Sequence, residues 1–271
     1  MGPCREKEVV PPAARFCGAE GLPFRSTMVR RGRLVAIEGA SASGKTTLMR
    51  AAAKTFGWRP LSEAFDRLDP TPSLEFRSSQ ELLRLEGVLL AEEVRRYREA
   101  RLQCRRGVTV LADTGFLGPL TYTRGLVELG RAPASVGRTI ERTVRALVRR
   151  GALGIPDLTV WLDASAAERR RRARGDARRH PLTLFPRHEA VGLVERRTLE
   201  AAFRSVLPGR FSVLRGRGRP GDLARHLGEL VRAAHAPPSS RTEGLALLDR
   251  LDRPTGNAAG RASAPTVKKA T

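Results

Sequence analysis

The residues best suited to chemistry form one glycine-rich stretch. Residues 39–46 read GASASGKT and fit G-x-x-x-x-G-K-[ST], the pattern of a phosphate-binding loop. The glycines allow a tight turn that points backbone N–H groups at phosphate oxygens, while Lys45 reaches the terminal phosphates and the Thr46 hydroxyl binds Mg²⁺. An apolar run precedes the loop and a helical pattern follows it, as the motif requires. The predicted nucleotide-binding residues are Gly39, Ala40, Ser41, Ala42, Ser43, Gly44, Lys45, Thr46 and Thr47.

Two acidic residues follow other apolar runs of the chain. Asp113 comes directly after residues 108–112, and Glu63 follows residues 59–62. Because ligands of open parallel sheets bind at the carboxyl ends of the strands, both are candidate catalytic residues beside Lys45. Asp113 is predicted to bind Mg²⁺ together with Thr46, the alternative being a helix-capping aspartate. Glu63 is predicted to take a proton from a substrate hydroxyl or to hold the substrate, the alternative being an exposed loop acid.

A dense arginine run occupies residues 168–179. Like charges on one helix repel, and a phosphate chain closing over them would remove that cost. The arginine fork also matches phosphate oxygens and stabilises charge that develops during transfer. Gly175 and Pro181 favour a flexible segment, so we predict a lid over residues 168–187, the alternative being a solvated basic helix. The candidate catalytic arginines are Arg169, Arg172 and Arg174.

Five short apolar runs alternate with helical patterns, and this alternation predicts a parallel sheet with helices on both faces. The residue pairs Ser78 with Glu81 and Ser165 with Glu168 are capping boxes that each predict a helix start. The runs that we expect to be strands are 34–37, 59–62, 108–112, 158–162 and 211–214.

The 271 residues are enough for one α/β domain with tails. We expect the domain at residues 29–235, a disordered or non-native extension at 1–28, and a mostly disordered tail at 236–271, in which residues 245–248 are suited to one or two helical turns. No membrane-spanning run, no signal peptide and three scattered cysteines indicate a cytoplasmic protein without a disulfide framework. The net charge of +22 is compatible with nucleic-acid binding, with a polyanionic small substrate, or with a coding bias towards arginine, and the sparse aromatic residues argue against nucleic acid as the partner.

Taken together, these residues resemble the P-loop kinases of nucleosides and nucleotides, of the thymidylate kinase and deoxynucleoside kinase kind. The resemblance covers residues 33–234. It implies a three-layer α/β/α fold with a five-stranded parallel sheet of order 2-3-1-4-5, with ATP and Mg²⁺ as cofactors, and it implies that Glu63 meets the substrate sugar. The segments that carry it are LVAIEG at 34–39, GKTT at 44–47, LSE at 61–63 and PDLTVWLD at 156–163, which leads into the arginine-rich lid.

The chain departs from these kinases on the acceptor side. They usually place an Asp-Arg or Glu-Arg pair after the third strand, where this chain has Asp113-Thr114. We therefore predict an ATP-dependent phosphotransferase that acts on a nucleoside, a nucleotide or a similar small acceptor. The alternatives are a kinase of a non-nucleotide metabolite or antibiotic, and a regulatory P-loop ATPase. Whether the chain works as a homodimer is left open.

Overall fold

A five-stranded parallel sheet forms the centre of the protein in the computed structural model. Its strand order is β2-β3-β1-β4-β5, as predicted. The central strand β1 pairs with β3 on one side and β4 on the other, so that Val35 lies opposite both Leu111 and Leu158. The strands are β1 (Leu34–Glu38), β2 (Arg59–Leu61), β3 (Val110–Asp113), β4 (Leu158–Asp163) and β5 (Phe211–Arg215).

The structure describes residues 31–72, 76–174, 186–234 and 239–252, without the side chains of 186–188. The N-terminal extension predicted at 1–28 and residues 175–185 of the predicted lid lie outside these ranges. The described helices are α1 (Lys45–Phe56), α2 (Ser79–Arg105), α3 (Gly118–Glu128), α4 (Ala134–Arg149), α5 (Ala166–Arg174), α6 (Pro186–Val206), α7 (Pro220–Ala233) and α8 (Arg241–Asp252).

Helices cover both faces of the sheet, because alternate strand residues point to opposite sides. Val35 and Ile37 pack in one apolar cluster with residues of α1 and α7. Leu34 belongs to a second cluster, with residues of α2, α4, α6 and α8. The result is the three-layer arrangement that the alternating sequence pattern predicts.

Both predicted helix starts are capped, and the capping box of Ser165 and Glu168 is complete, whereas the Glu81 carboxylate accepts from the Arg77 N–H instead of the Ser78 N–H. The Ser78 hydroxyl accepts a hydrogen bond from the Glu81 backbone N–H at 3.1 Å, at the start of α2. Ser165 and Glu168 bond reciprocally: the Ser165 hydroxyl accepts from the Glu168 N–H at 3.3 Å, and the Glu168 carboxylate accepts from the Ser165 N–H at 3.2 Å. The second box fixes the start of α5, the helix that carries the predicted lid arginines.

The prediction of a disordered tail from residue 236 is wrong for residues 241–252, which form α8. Its leucines Leu247, Leu248 and Leu251 are buried against the core. Their spacing places them on one helix face, and a third capping box, Ser240 with Glu243, starts the helix. The domain therefore extends beyond the predicted boundary at 235, to at least Asp252.

Within the part of the chain that the structure describes, no helix combines the length and the apolar character needed to cross a membrane.

Candidate active site

The glycine-rich loop connects the end of β1 to the first turn of α1. Its backbone is left-handed at Gly39, Ala42 and Gly44, with φ of 144°, 61° and 102°. A Cβ added at Gly39 would lie 2.7 Å from the carbonyl oxygen of Leu162, so only glycine fits there. Ala42 holds a conformation that side chains disfavour, which is typical of loops shaped for a ligand. Together with the start of α1, the loop has the backbone shape that an anion site requires.

Lys45, Thr46 and Asp113 meet at the base of this loop. The Lys45 ammonium donates to the Gly39 carbonyl oxygen at 2.9 Å and lies 4.0 Å from Oδ1 of Asp113. The Thr46 hydroxyl donates to Oδ2 of Asp113 at 2.8 Å. The structure thus brings together the predicted phosphate lysine and both predicted metal ligands. Thr47 follows on the exposed side of α1.

These residues fit a magnesium ion. The buried Oδ1 of Asp113 has no hydrogen-bond partner. It is an oxygen ligand beside a hydroxyl, and Mg²⁺ prefers hard oxygen ligands with few protein contributions. Thr46 and Asp113 are accordingly the residues that would hold the ion.

Arg96 of α2 supports the turn at Asp113, and the sequence did not identify it as part of the site. It is fully buried, and one of its terminal nitrogens donates to the Asp113 carbonyl oxygen at 2.7 Å. The other terminal nitrogen donates to the Glu93 carboxylate at 2.5 Å, and the guanidinium lies 5.4 Å from the centre of the Phe116 ring. Thr114 next to Asp113 is left-handed, with φ of 60°. Arg96 therefore anchors a strained turn that aims the Asp113 carboxylate.

The three predicted lid arginines differ in what they contact. Arg172 donates to the carbonyl oxygen of Ser43 in the phosphate loop, and at 2.7 Å to that of Gly216. Arg169 lies 3.4 Å from the Glu189 carboxylate, and Arg174 is exposed at the end of α5. Arg172 is thus the lid arginine that the structure places against the loop.

Glu63 lies at the acceptor side, two residues beyond β2. Burial raises its pKa to about 7, and the neighbouring Asp113 adds to this while Lys45 opposes it. At neutral pH such a carboxylate exists in both protonation states, as a residue that accepts and releases a proton must. Its role towards a substrate stays a prediction.

Two further glutamates line the same edge of the sheet. Glu38 ends β1, and its carboxylate accepts a hydrogen bond from the Gly115 N–H at 2.7 Å. Burial raises the pKa of Glu38. Glu195 on α6 accepts a hydrogen bond from the Thr121 hydroxyl at 3.1 Å, and burial and the nearby Glu38 raise its pKa to about 8. The acceptor side is therefore strongly acidic.

Comparisons with known proteins give matches at the level of structure. No protein-family model matches the chain, and no curated protein sequence matches it. A deoxyadenosine kinase from M. mycoides with bound dATP is 15% identical, and the alignment covers 73% of this chain and 99% of that one, with a TM-score of 0.53. A thymidylate kinase from Candida albicans is 16% identical, with coverage of 74% and 92% and a TM-score of 0.55.

The chain has the fold of the P-loop nucleotide kinases. The sheet order is the one that the resemblance implied. Within this P-loop kinase fold, the phosphate loop occupies its expected place between β1 and α1.

Sequence reasoning missed Arg96, Glu93, Glu38 and Glu195 as parts of the site. Glu38 could have been found, because it ends a predicted strand next to the loop. Glu93, Arg96 and Glu195 lie in charge-rich helices where a buried side chain looks like its exposed neighbours.

Proposed function

We propose that this protein is an ATP-dependent phosphotransferase that acts on a nucleoside, a nucleotide or a similar small acceptor. The observation that carries the proposal is the convergence of Lys45, Thr46 and Asp113 at the glycine-rich loop, with Arg172 bound to the same loop. In-line phosphoryl transfer needs positioning and charge stabilisation above all, and these residues supply both. The fold of known nucleotide kinases supports the proposal.

The roles of the phosphate half follow from its contacts. The loop N–H groups and Lys45 hold the terminal phosphates. Arg172, already at the loop, neutralises charge that develops on the transferred group. A bound Mg²⁺, held by Thr46 and Asp113, would supply further charge neutralisation.

The acceptor half provides the proton transfer. Glu63 accepts the proton of the attacking hydroxyl, for which a pKa of about 7 is well suited. Arg96 positions Asp113 through its backbone carbonyl.

Two alternatives differ in the acceptor. A kinase of a non-nucleotide metabolite or antibiotic is favoured by the strongly acidic acceptor side, which does not by itself require a nucleobase. A regulatory ATPase is disfavoured, because the third strand ends in Asp113-Thr114 and so lacks a glutamate next to Asp113 to polarise attacking water. A cytoplasmic location remains a prediction of the sequence, and the oligomeric state stays open.

A coupled assay of ADP release with a panel of nucleosides and nucleotides tests the proposal. We expect at least one acceptor to raise ATP turnover well above the acceptor-free rate in the wild type, and not in Lys45→Ala. A panel in which every acceptor leaves turnover at the acceptor-free rate would count against the proposal.

A further inference from the structure

The turn after β3 carries Asp113, which would hold the magnesium ion, and bonds from outside the turn fix its shape. Thr114 has a φ of 60°, a left-handed conformation that a β-branched residue disfavours. Its N–H donates to the Ile37 carbonyl oxygen at 3.1 Å, and Arg96 donates to the Asp113 carbonyl oxygen at 2.7 Å. Such a conformation persists only where its surroundings hold it, so these bonds help to determine where the Asp113 carboxylate points.

Glu38, the last residue of β1, bonds the same turn from the side of the phosphate loop. Its Oε1 accepts a hydrogen bond from the Gly115 N–H at 2.7 Å. A Cβ added at Gly115 would lie 2.6 Å from this oxygen, but at an ordinary 3.6 Å from the Cβ of Ala36. Gly115 is not left-handed, so the Glu38 carboxylate, and not the backbone conformation, leaves no room for a side chain there.

Glu38 also leads directly into the phosphate loop. The next residue, Gly39, provides the carbonyl oxygen that accepts from the Lys45 ammonium at 2.9 Å, and Lys45 lies 4.0 Å from Oδ1 of Asp113. These contacts close a ring that runs from Glu38 through Gly115 to Asp113, and through Lys45 and Gly39 back to Glu38. Because Glu38 bonds the backbone of the turn, Oδ1 of Asp113 is left without a hydrogen-bond partner.

We propose that Glu38 is a positioning residue, which holds Oδ1 of Asp113 in place for the magnesium ion by accepting a hydrogen bond from the Gly115 N–H. The inference rests on the proposed phosphotransferase function and adds a residue on which its metal site depends. Removing a residue that orients a metal ligand typically lowers metal affinity about 10- to 100-fold. Since Glu38 acts through an uncharged backbone donor, an uncharged acceptor of the same shape should serve in its place.

Titration calorimetry of ATP with and without Mg²⁺ tests this role by binding, independently of turnover. The quantity compared is the gain in ATP affinity that saturating Mg²⁺ produces. We expect Glu38→Ala to reduce this gain about tenfold and to leave the metal-free ATP affinity within about twofold of the wild type. Glu38→Gln keeps an oxygen that accepts from the Gly115 N–H and should retain most of the gain.

Gly115→Ala breaks the same bond from the other side, because its Cβ would displace the Glu38 carboxylate. We expect it to reduce the gain about as much as Glu38→Ala does, and it keeps the inference testable if Glu38→Ala does not fold. Once the carboxylate is absent, the added Cβ meets no close atom. Gly115→Ala should therefore add little further loss in the Glu38→Ala background.

Asp163→Asn is the matched control. Asp163 ends β4, which pairs with β1 on the side away from β3, and its carboxylate bonds Arg196 at 2.8 Å. This variant should leave the gain unchanged.

The inference is overturned if Glu38→Ala keeps the wild-type gain, if Glu38→Gln or Asp163→Asn loses as much as Glu38→Ala, or if the losses of Glu38→Ala and Gly115→Ala add in the double variant. It is also overturned if Mg²⁺ gives the wild type no gain in ATP affinity, and acceptor-dependent turnover then decides the proposed function separately. A wild type that gains affinity with Mg²⁺ but transfers no phosphate would contradict the proposed function alone.

Discussion

The phosphate half and the acceptor half of the site are built in different ways. The phosphate half comes mostly from one continuous stretch, residues 39–47, whose backbone shape follows from its glycines. The acceptor half collects Glu38, Glu63, Glu86 and Glu195 from four separate segments. The phosphate half carries Lys45 and Arg172, whereas the acceptor half is acidic and partly without partners. A local sequence motif can therefore determine how a protein binds one substrate, whereas the binding of the other substrate depends on which segments the topology brings together.

Arg96 holds the Asp113 turn to Glu93, and its removal should have the largest effect. Arg96→Met leaves the buried Glu93 carboxylate and the Asp113 carbonyl without their donor. We expect a loss of about 3–5 kcal/mol in the free energy of unfolding, measured by urea denaturation. The neighbouring Arg95, with a side chain 69% exposed, provides the control: Arg95→Met should cost at most about 1 kcal/mol. Equal losses in the two variants would contradict the anchoring role.

Lys45 tests the phosphate half alone. Lys45→Ala should lower phosphotransfer on the order of a few hundredfold, or roughly 3–4 kcal/mol in the barrier, since a charge on the transferred phosphate is lost. The fold should survive. Lys54→Ala, in the last turn of the same helix and exposed, is the control and should retain normal turnover. Turnover of Lys45→Ala within threefold of the wild type would refute the assignment.

Helix α8 tests whether the C-terminal segment belongs to the domain. Leu248→Ala should reduce the free energy of unfolding by about 3 kcal/mol, because its side chain is 1% exposed in the core cluster shared with α6. Thermal and urea denaturation measure the loss. Leu193→Ala, on α6 and 69% exposed, should change stability little by comparison. If truncation after residue 234 left stability unchanged, the helix would not be part of the core.

Glu86, on the buried side of α2, should make the free energy of unfolding depend on pH. Burial and Glu195 raise its pKa from 4.5 to about 8, so between these values the folded state holds a proton that the unfolded state has lost. Stability from this group is therefore complete below pH 4.5 and is lost as pH rises towards 8. The wild type should lose up to about 1.4 kcal/mol per pH unit there relative to Glu86→Gln.

Urea denaturation of both proteins across this pH range measures that difference. Glu229→Gln, on an exposed position of α7, is the control and should follow the wild type. A constant difference between the wild type and Glu86→Gln would mean that Glu86 is charged in the folded protein.

The phosphate half was easier to predict from the sequence than the acceptor half. The phosphate loop, the sheet and two helix N-caps were predictable because their signals are local. Helix α8 carries a comparable signal, the capping box of Ser240 and Glu243 before a leucine stripe. It was predicted as no more than one or two turns, because the residues around it are typical of a tail.

The acceptor half could not be predicted in this way. Glu86 and Glu195 lie far apart in the sequence, on helices with many charged residues. Only the packing of α2 against the rest of the fold buries Glu86, and no periodic pattern marks it. Glu63 was found because it follows a strand, a position where topology and sequence coincide.

The central claim is that the two halves carry out one reaction, and a paired measurement on the wild type and Glu63→Gln tests it. ATP binding is titrated by calorimetry without acceptor, and product formation is followed with and without candidate acceptors. We expect ATP to bind both proteins alike, the right acceptor to raise turnover in the wild type, and Glu63→Gln to lose that acceptor-dependent turnover. ATP hydrolysis that no small acceptor stimulates, but a protein or nucleic acid does, would contradict the account and identify a regulatory ATPase.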